Sequence, residues 1–286
     1  MSDKQVAISA DSTCDLSEDV KKKYGVSYFP FFVRFREKEY KDNVDIHPSD
    51  LYEGYYEDGS LPSTAASSVG EFSEYFKKFL NDGFEVVHIS LGSGLSSSFQ
   101  NADIAAEDMD GVYVVDSKNL SSGSGLLVMQ AAKLAEDGKS AKEIAELLNK
   151  MTDHVHSSFV LDTLEFMAAG GRCPAIASKA AGMLKCKPSI KVDNTDGTLH
   201  VSTIYRGKTE KVLKKYVEET LGNYDNILYD DIYITDSGEV SDDAVISVKE
   251  EIEKLGKFKN IYRSTASCTI SSHCGPGTLG ILFMTK

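Results

Sequence analysis

The run Val6-Ala7-Ile8-Ser9-Ala10, followed at once by Asp11-Ser12-Thr13, has a design that recurs twice along the chain. Phe84-Glu85-Val86-Val87-His88-Ile89-Ser90 and Gly111-Val112-Tyr113-Val114-Val115-Asp116 are also short apolar runs that end in polar residues. Such runs are typical of buried strands that end in polar loops. Because the segments between them have helical spacing, the pattern predicts parallel βαβ units.

Apolar residues at helical spacing predict helices over 71–80, 97–107 and 126–136, and Ser140 is the predicted cap of a further helix. We therefore expect the first half of the chain to be an open α/β sheet. Ligands of such sheets bind outside the carboxyl ends of the strands.

A different pattern begins at about Ser157. Segments 187–193 and 199–205 flank Asn194-Thr195-Asp196-Gly197, which is a hairpin signal that parallel crossovers do not give. The remaining predicted elements are strands at 227–235, 258–264 and 277–283 and helices at 209–221 and 241–255. The sequence thus predicts an α/β fold of two domains: residues 1–156 with an open, mainly parallel sheet and flanking helices, and residues 157–286 with a largely antiparallel sheet.

Composition narrows the class of protein. The 286 residues leave room for roughly two domains. A net charge of −13, from 31 Lys and Arg against 44 Asp and Glu, disfavours nucleic-acid binding.

We find no apolar run long enough to insert into a membrane and no signal-peptide core after Met1, so we expect a cytoplasmic protein. Five cysteines without a C-x-x-C pair predict reduced, buried thiols, and the dispersed histidines predict no metal site.

The motifs bear on two classes of enzyme, nucleotide-binding enzymes and serine hydrolases. Gly138-Lys139-Ser140 and Gly207-Lys208-Thr209 copy the end of a P-loop, but Lys133 and Ser202 stand where the leading glycine belongs. Gly94-Leu95-Ser96-Ser97-Ser98 resembles a nucleophile elbow without its closing glycine. Nucleotide binding is therefore disfavoured, and a serine-dependent lipid hydrolase or acyl transferase that uses Ser96 stays as the alternative.

Hydroxyl groups are concentrated in two predicted loops that precede helices. One contains Ser93 and Ser96–98, and the other runs from Pro62 to Phe72, where Ser68 and Glu71 have the spacing of a capping box that leaves Thr64 free for a ligand. Hydroxyls and free N–H groups at a helix N-terminus bind anions. Two neutral hydroxyl loops at neighbouring strand ends suit a carboxylate, which they hold without burying a countercharge.

The motifs that follow one another along nearly the whole chain resemble those of the DegV family. They are Ala10-Asp11-Ser12-Thr13-Cys14-Asp15-Leu16, the segment with Thr64, Ser68, Gly70, Glu71 and Phe72, Ser93-Gly94-Leu95-Ser96, Val115-Asp116-Ser117-Lys118, Leu161-Asp162-Thr163-Leu164-Glu165, Gly170-Gly171-Arg172 and His273-Cys274-Gly275-Pro276-Gly277. The resemblance implies a two-domain fatty-acid-binding protein. It also implies service as the acyl-carrying subunit of a fatty acid kinase system, in which a separate ATP-dependent kinase makes the acyl phosphate.

The resemblance places the carboxylate-binding hydroxyls on Thr64 and Ser96, with Ser97 beside them. It also places His273, in a Gly-Pro-Gly loop, near the head group; Arg172 follows two glycines and could neutralise the carboxylate or form a structural salt bridge. Arg206 could serve the kinase-facing step or be a solvated surface residue. We expect a long-chain fatty acid between the two domains as the only ligand, with no cofactor, no catalytic residue and no turnover.

A third hypothesis, a docking protein that uses the acidic segment 223–256, predicts that the purified protein carries no lipid.

Overall fold

The computed structural model describes residues 5–179, 182 and 185–286. The prediction about a signal peptide rests in part on residues 1–4, which lie outside that range. Within it, no helix is both long and apolar enough to cross a bilayer.

The elements alternate along most of the chain. The strands are β1 (Val6–Asp11), β2 (Ser27–Phe29), β3 (Phe32–Phe35), β4 (Lys38–Lys41), β5 (Ser63–Ala65), β6 (Glu85–Ser90), β7 (Val112–Asp116), β8 (Val155–Val160), β9 (Lys187–Val192), β10 (Leu199–Tyr205), β11 (Ile227–Asp236), β12 (Asn260–Thr265) and β13 (Leu279–Thr285). The helices are α1 (Glu18–Tyr24), α2 (Pro48–Asp58), α3 (Val69–Asn81), α4 (Ser98–Ala106), α5 (Ser121–Glu136), α6 (Ala141–Met151), α7 (Glu165–Gly170), α8 (Pro174–Lys179), α9 (Thr209–Gly222), α10 (Asp242–Leu255) and α11 (Cys268–Cys274).

The first sheet has the strand order β2-β1-β6-β7, and all its pairs are parallel. This confirms the open parallel sheet predicted from the three apolar runs. The strands end together, since Ser90 is the register partner of Asp116 and Ala10 that of Ile89. The polar residues that follow the strands therefore meet at one edge of the sheet.

The second sheet has the order β10-β9-β8-β13-β11-β12 and is antiparallel except for the parallel pair β11–β12. The hairpin prediction is confirmed: Val192 of β9 pairs with Leu199 of β10, and Gly197 takes the left-handed conformation of the turn, φ +75°. β8 begins at Val155, so the predicted boundary after residue 156 falls inside this strand. The division into two domains stays a prediction.

A third sheet, β4-β3-β5, is antiparallel and lies in the first half of the chain, where we predicted one open, mainly parallel sheet and no separate antiparallel sheet. It packs with α2 over a small core of its own that includes Val33, Leu51, Tyr52 and Phe166. These strands are three or four residues long, too short to show a hydrophobic period. For that reason, no local pattern in the sequence predicts these strands.

Helix α5 packs against strands of both large sheets and is buried from Ser121 to Met129. It begins five residues before the predicted start at Leu126, because its first turn consists of serine and glycine. A Cβ at Gly123 would collide with Ser157 Oγ, and one at Gly125 would lie 2.5 Å from the carbonyl oxygen of Cys14. Close packing of the helix against the sheets thus favours residues with low helix propensity.

Candidate functional site

A largely apolar cavity of about 870 Å³, its open mouth included, lies between the two large sheets. The apolar part of the lining comes from both halves of the chain: Phe31, Leu91, Leu95, Leu120, Phe159, Met167, Leu199, Ile270 and Leu282. Thr64, Ser96, Arg172 and His273 belong to the polar part.

Thr64 and His273 are joined directly. Thr64 lies on β5, as the register partner of Val33, and its Oγ1 is 2.8 Å from His273 Nε2. We predicted that Thr64 would sit in a loop at the end of a strand of the parallel sheet and would be free for a ligand. The first expectation is wrong, because β5 belongs to the small antiparallel sheet. The Thr64 hydroxyl lines the cavity and is hydrogen-bonded to His273, and its availability to a ligand stays a prediction.

His273 lies on α11, not in the predicted Gly-Pro-Gly loop, which begins only at Gly275. Its Nδ1 is buried without a hydrogen-bond partner in the described structure, and a Cβ at Gly170 would collide with that nitrogen. Burial of the ring, with a smaller contribution from the Arg172 charge, lowers the pKa of His273 to about 4. The imidazole is therefore neutral at pH 7.

Ser96 lies in the loop that follows β6, and two aspartates hold this loop. Asp11 Oδ2 accepts hydrogen bonds from the Ser90 hydroxyl (2.9 Å) and the Leu91 N–H (2.6 Å). Asp116 accepts both the N–H (3.0 Å) and the hydroxyl (2.6 Å) of Ser93. The loop also abuts the β9–β10 hairpin, where only a glycine fits: a Cβ at Gly94 would collide with the carbonyl oxygen of Asp196.

Within this loop, Ser96 and Ser97 have different surroundings. Ser96 is half-buried, and its Oγ accepts from the Ser98 N–H (3.1 Å) and lies 3.0 Å from Ser98 Oγ. Ser97 is the exposed N-cap of α4 and is not among the residues that line the cavity. The structure therefore brings Ser96, and not Ser97, together with the other predicted ligand residues.

Arg172 joins the Ser96 loop to the His273 side of the cavity. Its Nη1 donates to the carbonyl oxygen of Gly170 (2.7 Å) and its Nε to that of Leu95 (3.4 Å). No ion pair of the described residues includes Arg172, so the structural salt bridge considered above is absent. Its charge is thus available to an anion at the cavity.

The sequence does not predict helix α11, on which the lining residues Thr269, Ile270, His273 and Cys274 lie. A signal was present: Ser267 is an N-cap whose hydroxyl accepts from the Ile270 N–H, and lining residues follow it at helical spacing. The helix has seven residues, fewer than a periodic pattern needs to stand out.

The motifs of the enzyme hypotheses have structural roles. Gly138 has a positive φ beyond the end of α5, and Ser140 and Glu143 form the capping box of α6. Lys208 is the N-cap of α9. The Ser96 hydroxyl forms no hydrogen bond with a histidine, lysine or carboxylate among the described side chains, and serine hydrolysis requires such a bond.

Three other predictions concern Arg206, the cysteines and a metal site. Arg206 is exposed, its Nε lies 3.4 Å from Cys186 Sγ, and it does not line the cavity. The five cysteines are buried free thiols, as expected. Over the described ranges, no cluster of three His, Cys, Asp or Glu side chains could hold a metal ion.

Comparison with solved structures relates this arrangement to known proteins. A DegV family protein from Thermus thermophilus, described by its fatty acid binding, superposes with a TM-score of 0.88 at 26% identity over 99% of this chain and 100% of its own. A stearic-acid-binding protein from Eubacterium ventriosum superposes with a TM-score of 0.83 at 27% identity over 99% of each chain.

Comparison of sequences leads to the same group. A DegV domain-containing protein from Caldanaerobacter subterraneus subsp. tengcongensis is 31% identical over 99% of both chains. The family model described as "uncharacterised protein, DegV family" matches residues 5–286. The resemblance inferred from the motifs is thereby confirmed, and this chain belongs to the DegV family.

Proposed function

We propose that the protein binds a long-chain fatty acid in the cavity, with the carboxylate at Thr64, Ser96, Arg172 and His273. The observation that carries the proposal is that these four residues line one largely apolar cavity. Thr64 Oγ1 is hydrogen-bonded to His273 Nε2, and Arg172 donates to the carbonyl oxygen of Leu95, the residue before Ser96. Arg172 also donates to the carbonyl oxygen of Gly170, which packs against the His273 ring, so the two pairs are neighbours. The fatty acids bound by relatives of the same fold support this choice of ligand.

The apolar tail supplies the affinity. At about 0.8 kcal/mol for each buried methylene, a tail of about sixteen carbons offers roughly 12 kcal/mol before the cost of ordering is subtracted. The polar residues then need only to fix the direction in which the ligand lies.

The head-group chemistry suits a carboxylate. If His273 Nε2–H donates to Thr64 Oγ1, the Thr64 hydroxyl is free to donate to the ligand. Ser96 provides a second hydroxyl and Arg172 the one full positive charge, so the bonds to the carboxylate are charge-assisted. Because the pKa of His273 is lowered to about 4, its imidazole is neutral at pH 7 and adds no second positive charge to the site.

We further propose that the protein presents the bound acid to a separate kinase, which forms the acyl phosphate with ATP, and that this chain performs no turnover itself. Two observations support that division of labour. Both P-loop-like segments are used at helix boundaries. Ser96 lacks a neighbouring base in the part of the chain that the structure describes.

Native mass spectrometry of the protein as purified, followed by denaturing extraction, tests the proposed ligand. We expect about one fatty acid per chain, because gross burial of roughly 12 kcal/mol retains a ligand through purification. Recovery of a nucleotide alone would contradict the proposal. Recovery of no lipid, from protein that also fails to bind added palmitate, would favour the docking hypothesis. Co-purification with a kinase tests the second step separately.

A further inference from the structure

Asp15 is a buried carboxylate that connects two parts of the cavity wall. It follows the 3-10 turn Ser12–Cys14, and 4% of its surface is exposed. Oδ1 accepts the N–H of Ser267, the N-cap of α11, at 2.8 Å. Oδ2 accepts the hydroxyl of Ser121, the first residue of α5, at 2.5 Å.

The backbone on both sides of the Asp15–Ser121 bond is strained. Asp15 has φ +44° and Ser121 has φ +52°, both in the left-handed region that residues other than glycine rarely adopt. Such conformations persist only where the surrounding structure fixes them, and they are concentrated at functional sites. The hydrogen bond thus joins two residues whose backbone conformations depend on their surroundings.

Both hydrogen-bond partners of Asp15 are connected to the cavity wall. Ser121 is itself a lining residue. Ser267 begins α11, which carries His273 near its other end, and a helix of seven residues is about 10 Å long. Asp15 therefore holds one end of the helix whose other end presents His273 to Thr64.

The groups that face Asp15 do not neutralise it. Asp42, on the loop after β4, accepts the N–H of Cys268, so a second buried carboxylate holds the same helix end. The other titratable neighbours are the thiols of Cys14, Cys268 and Cys274, whose pKa values burial raises, to about 12 for Cys14 and Cys274. No lysine, arginine or histidine of the described residues forms an ion pair with Asp15.

Burial therefore raises the pKa of Asp15 to about 7, with a smaller contribution from the charge of Asp42. His273 is already neutral at that pH, because its pKa is lowered to about 4. An ordinary fatty acid carboxylate stays ionised there. Near neutral pH, Asp15 is thus a buried group next to the cavity wall that changes its charge.

We propose that Asp15 is a positioning residue of the fatty-acid site: its ionised carboxylate holds α11 and Ser121 in the arrangement that binds the ligand. The inference rests on the proposed function. The ionised group accepts two charge-assisted hydrogen bonds and is favoured at a helix N-terminus. A protonated carboxyl is a weaker acceptor and carries a donor of its own, so one of the two contacts is lost or weakened. Protonation of Asp15 therefore weakens ligand binding.

Calorimetric titration with palmitate tests this inference. We expect the affinity of the parent protein to fall by at least about fivefold between about pH 8 and about pH 6. Asp15→Asn resembles the neutral acid, so it should bind at pH 8 about as weakly as the parent does at pH 6, without a pH dependence. Asp231→Asn is the matched control: Asp231 is also buried, but it pairs with Lys133 outside the cavity, and its variant should keep the parent profile.

Carboxyl-carbon NMR of Asp15 in the parent protein gives a readout that does not depend on any variant folding. Linkage requires the pKa of Asp15 to be lower in the palmitate complex than in the free protein. The ratio of the two acid dissociation constants must equal the ratio of the palmitate affinities of the ionised and the protonated protein. An unchanged or higher pKa in the complex, a flat affinity profile, or a profile that Asp15→Asn shares would overturn the inference while leaving fatty acid binding intact. Failure of palmitate to bind at any pH would overturn the proposed function and this inference together.

Discussion

Thr64 and His273 lie 209 positions apart in the sequence, and their side chains form a 2.8 Å hydrogen bond in the wall of the cavity. The first comes from a short edge strand and the second from a seven-residue helix. Neither element has a large core of its own. The geometry of the proposed head-group site therefore depends on how these two elements pack together.

Removal of either proposed hydroxyl should weaken palmitate binding. Hydrogen bonds to a charged group contribute roughly 1.5–3 kcal/mol each, so Thr64→Val and Ser96→Ala should each lose about ten- to a hundredfold in affinity. The two losses should not add, because both hydroxyls contact one carboxylate. Ser63→Ala, at an exposed neighbour of Thr64 on the same strand, is the control for calorimetry.

Fatty alcohols of equal chain length separate charge from shape in the same experiment. They should bind the parent protein more weakly than the acid but lose less in the two variants, because the ionic acceptor is missing. If the parent and both variants bind palmitate with equal affinity, the two hydroxyls do not hold the carboxylate, and Arg172 and His273 remain as its ligands.

The isolated protein should hydrolyse neither nitrophenyl esters nor ATP. Ser96 Oγ interacts with Ser98, and His273 is engaged with Thr64, so no base is placed to activate the serine. Release of nitrophenol and of phosphate is the measurement. An ester-cleaving activity that Ser96→Ala abolishes would support the hydrolase hypothesis in place of a binding function.

Gly170→Ala should damage the site although it removes no polar group. The added Cβ would collide with His273 Nδ1, so the ring must shift, and its hydrogen bond with Thr64 is disturbed. We expect a loss of stability of about 1–3 kcal/mol, as is typical of overpacking, together with weaker palmitate binding. Gly222→Ala is the control, because nothing lies within 4 Å of a Cβ there. An unchanged chemical shift of the His273 ring in Gly170→Ala would refute the collision.

Ala266→Phe should shorten the fatty acid that the cavity accepts. Ala266 lines the cavity just before α11, at the opposite end of that helix from His273. Exclusion of about four methylenes would remove roughly 3 kcal/mol, or about a hundredfold in palmitate affinity. Octanoate should bind the variant as it binds the parent protein, which also shows that the variant is folded. Parallel losses for both acids would place the tail elsewhere.

Stability should fall in mild acid through two histidines. Burial lowers the pKa of His156 and of His273 from 6.5 to about 4. The unfolded chain therefore takes up protons below pH 6.5 that the folded chain refuses, and the stabilisation, complete above that pH, is lost as the pH falls towards 4. Each ring contributes at most about 1.4 kcal/mol per pH unit. Urea unfolding of His156→Gln should show a shallower decline than the parent, and an identical decline would contradict the neutral state of this ring.

The two large sheets could be predicted because their strands carry strong local signals. The apolar runs at 84–90 and 111–116 became β6 and β7, and Asn194-Thr195-Asp196-Gly197 became a hairpin turn. The third sheet and α11 could not be predicted in this way. Their residues are held by distant partners, such as the pairing of Val33 with Thr64 and the bond from Cys268 to Asp42.

The candidate site was predicted in composition but not in geometry. Family motifs singled out Thr64, Ser96, Arg172 and His273, all of which line the cavity. Ser97 was predicted as one of the hydroxyls at the start of a helix, and it is the exposed N-cap of α4 outside the cavity lining. No local pattern could show that Thr64 and His273 are bonded, since that contact depends on tertiary packing across most of the chain.

The position of β13 has a consequence for how the protein is made. This strand joins β8 to β11 and so connects the two parts of the second sheet, yet it is the last of the strands to be synthesised. Until β13 has emerged from the ribosome, both neighbouring strands have an open edge, which is a hazard for aggregation. α11, which carries His273, emerges only shortly before β13. The cavity wall is therefore incomplete until residues 268–285 have emerged, and ligand capture has to follow that step rather than guide the early steps of folding.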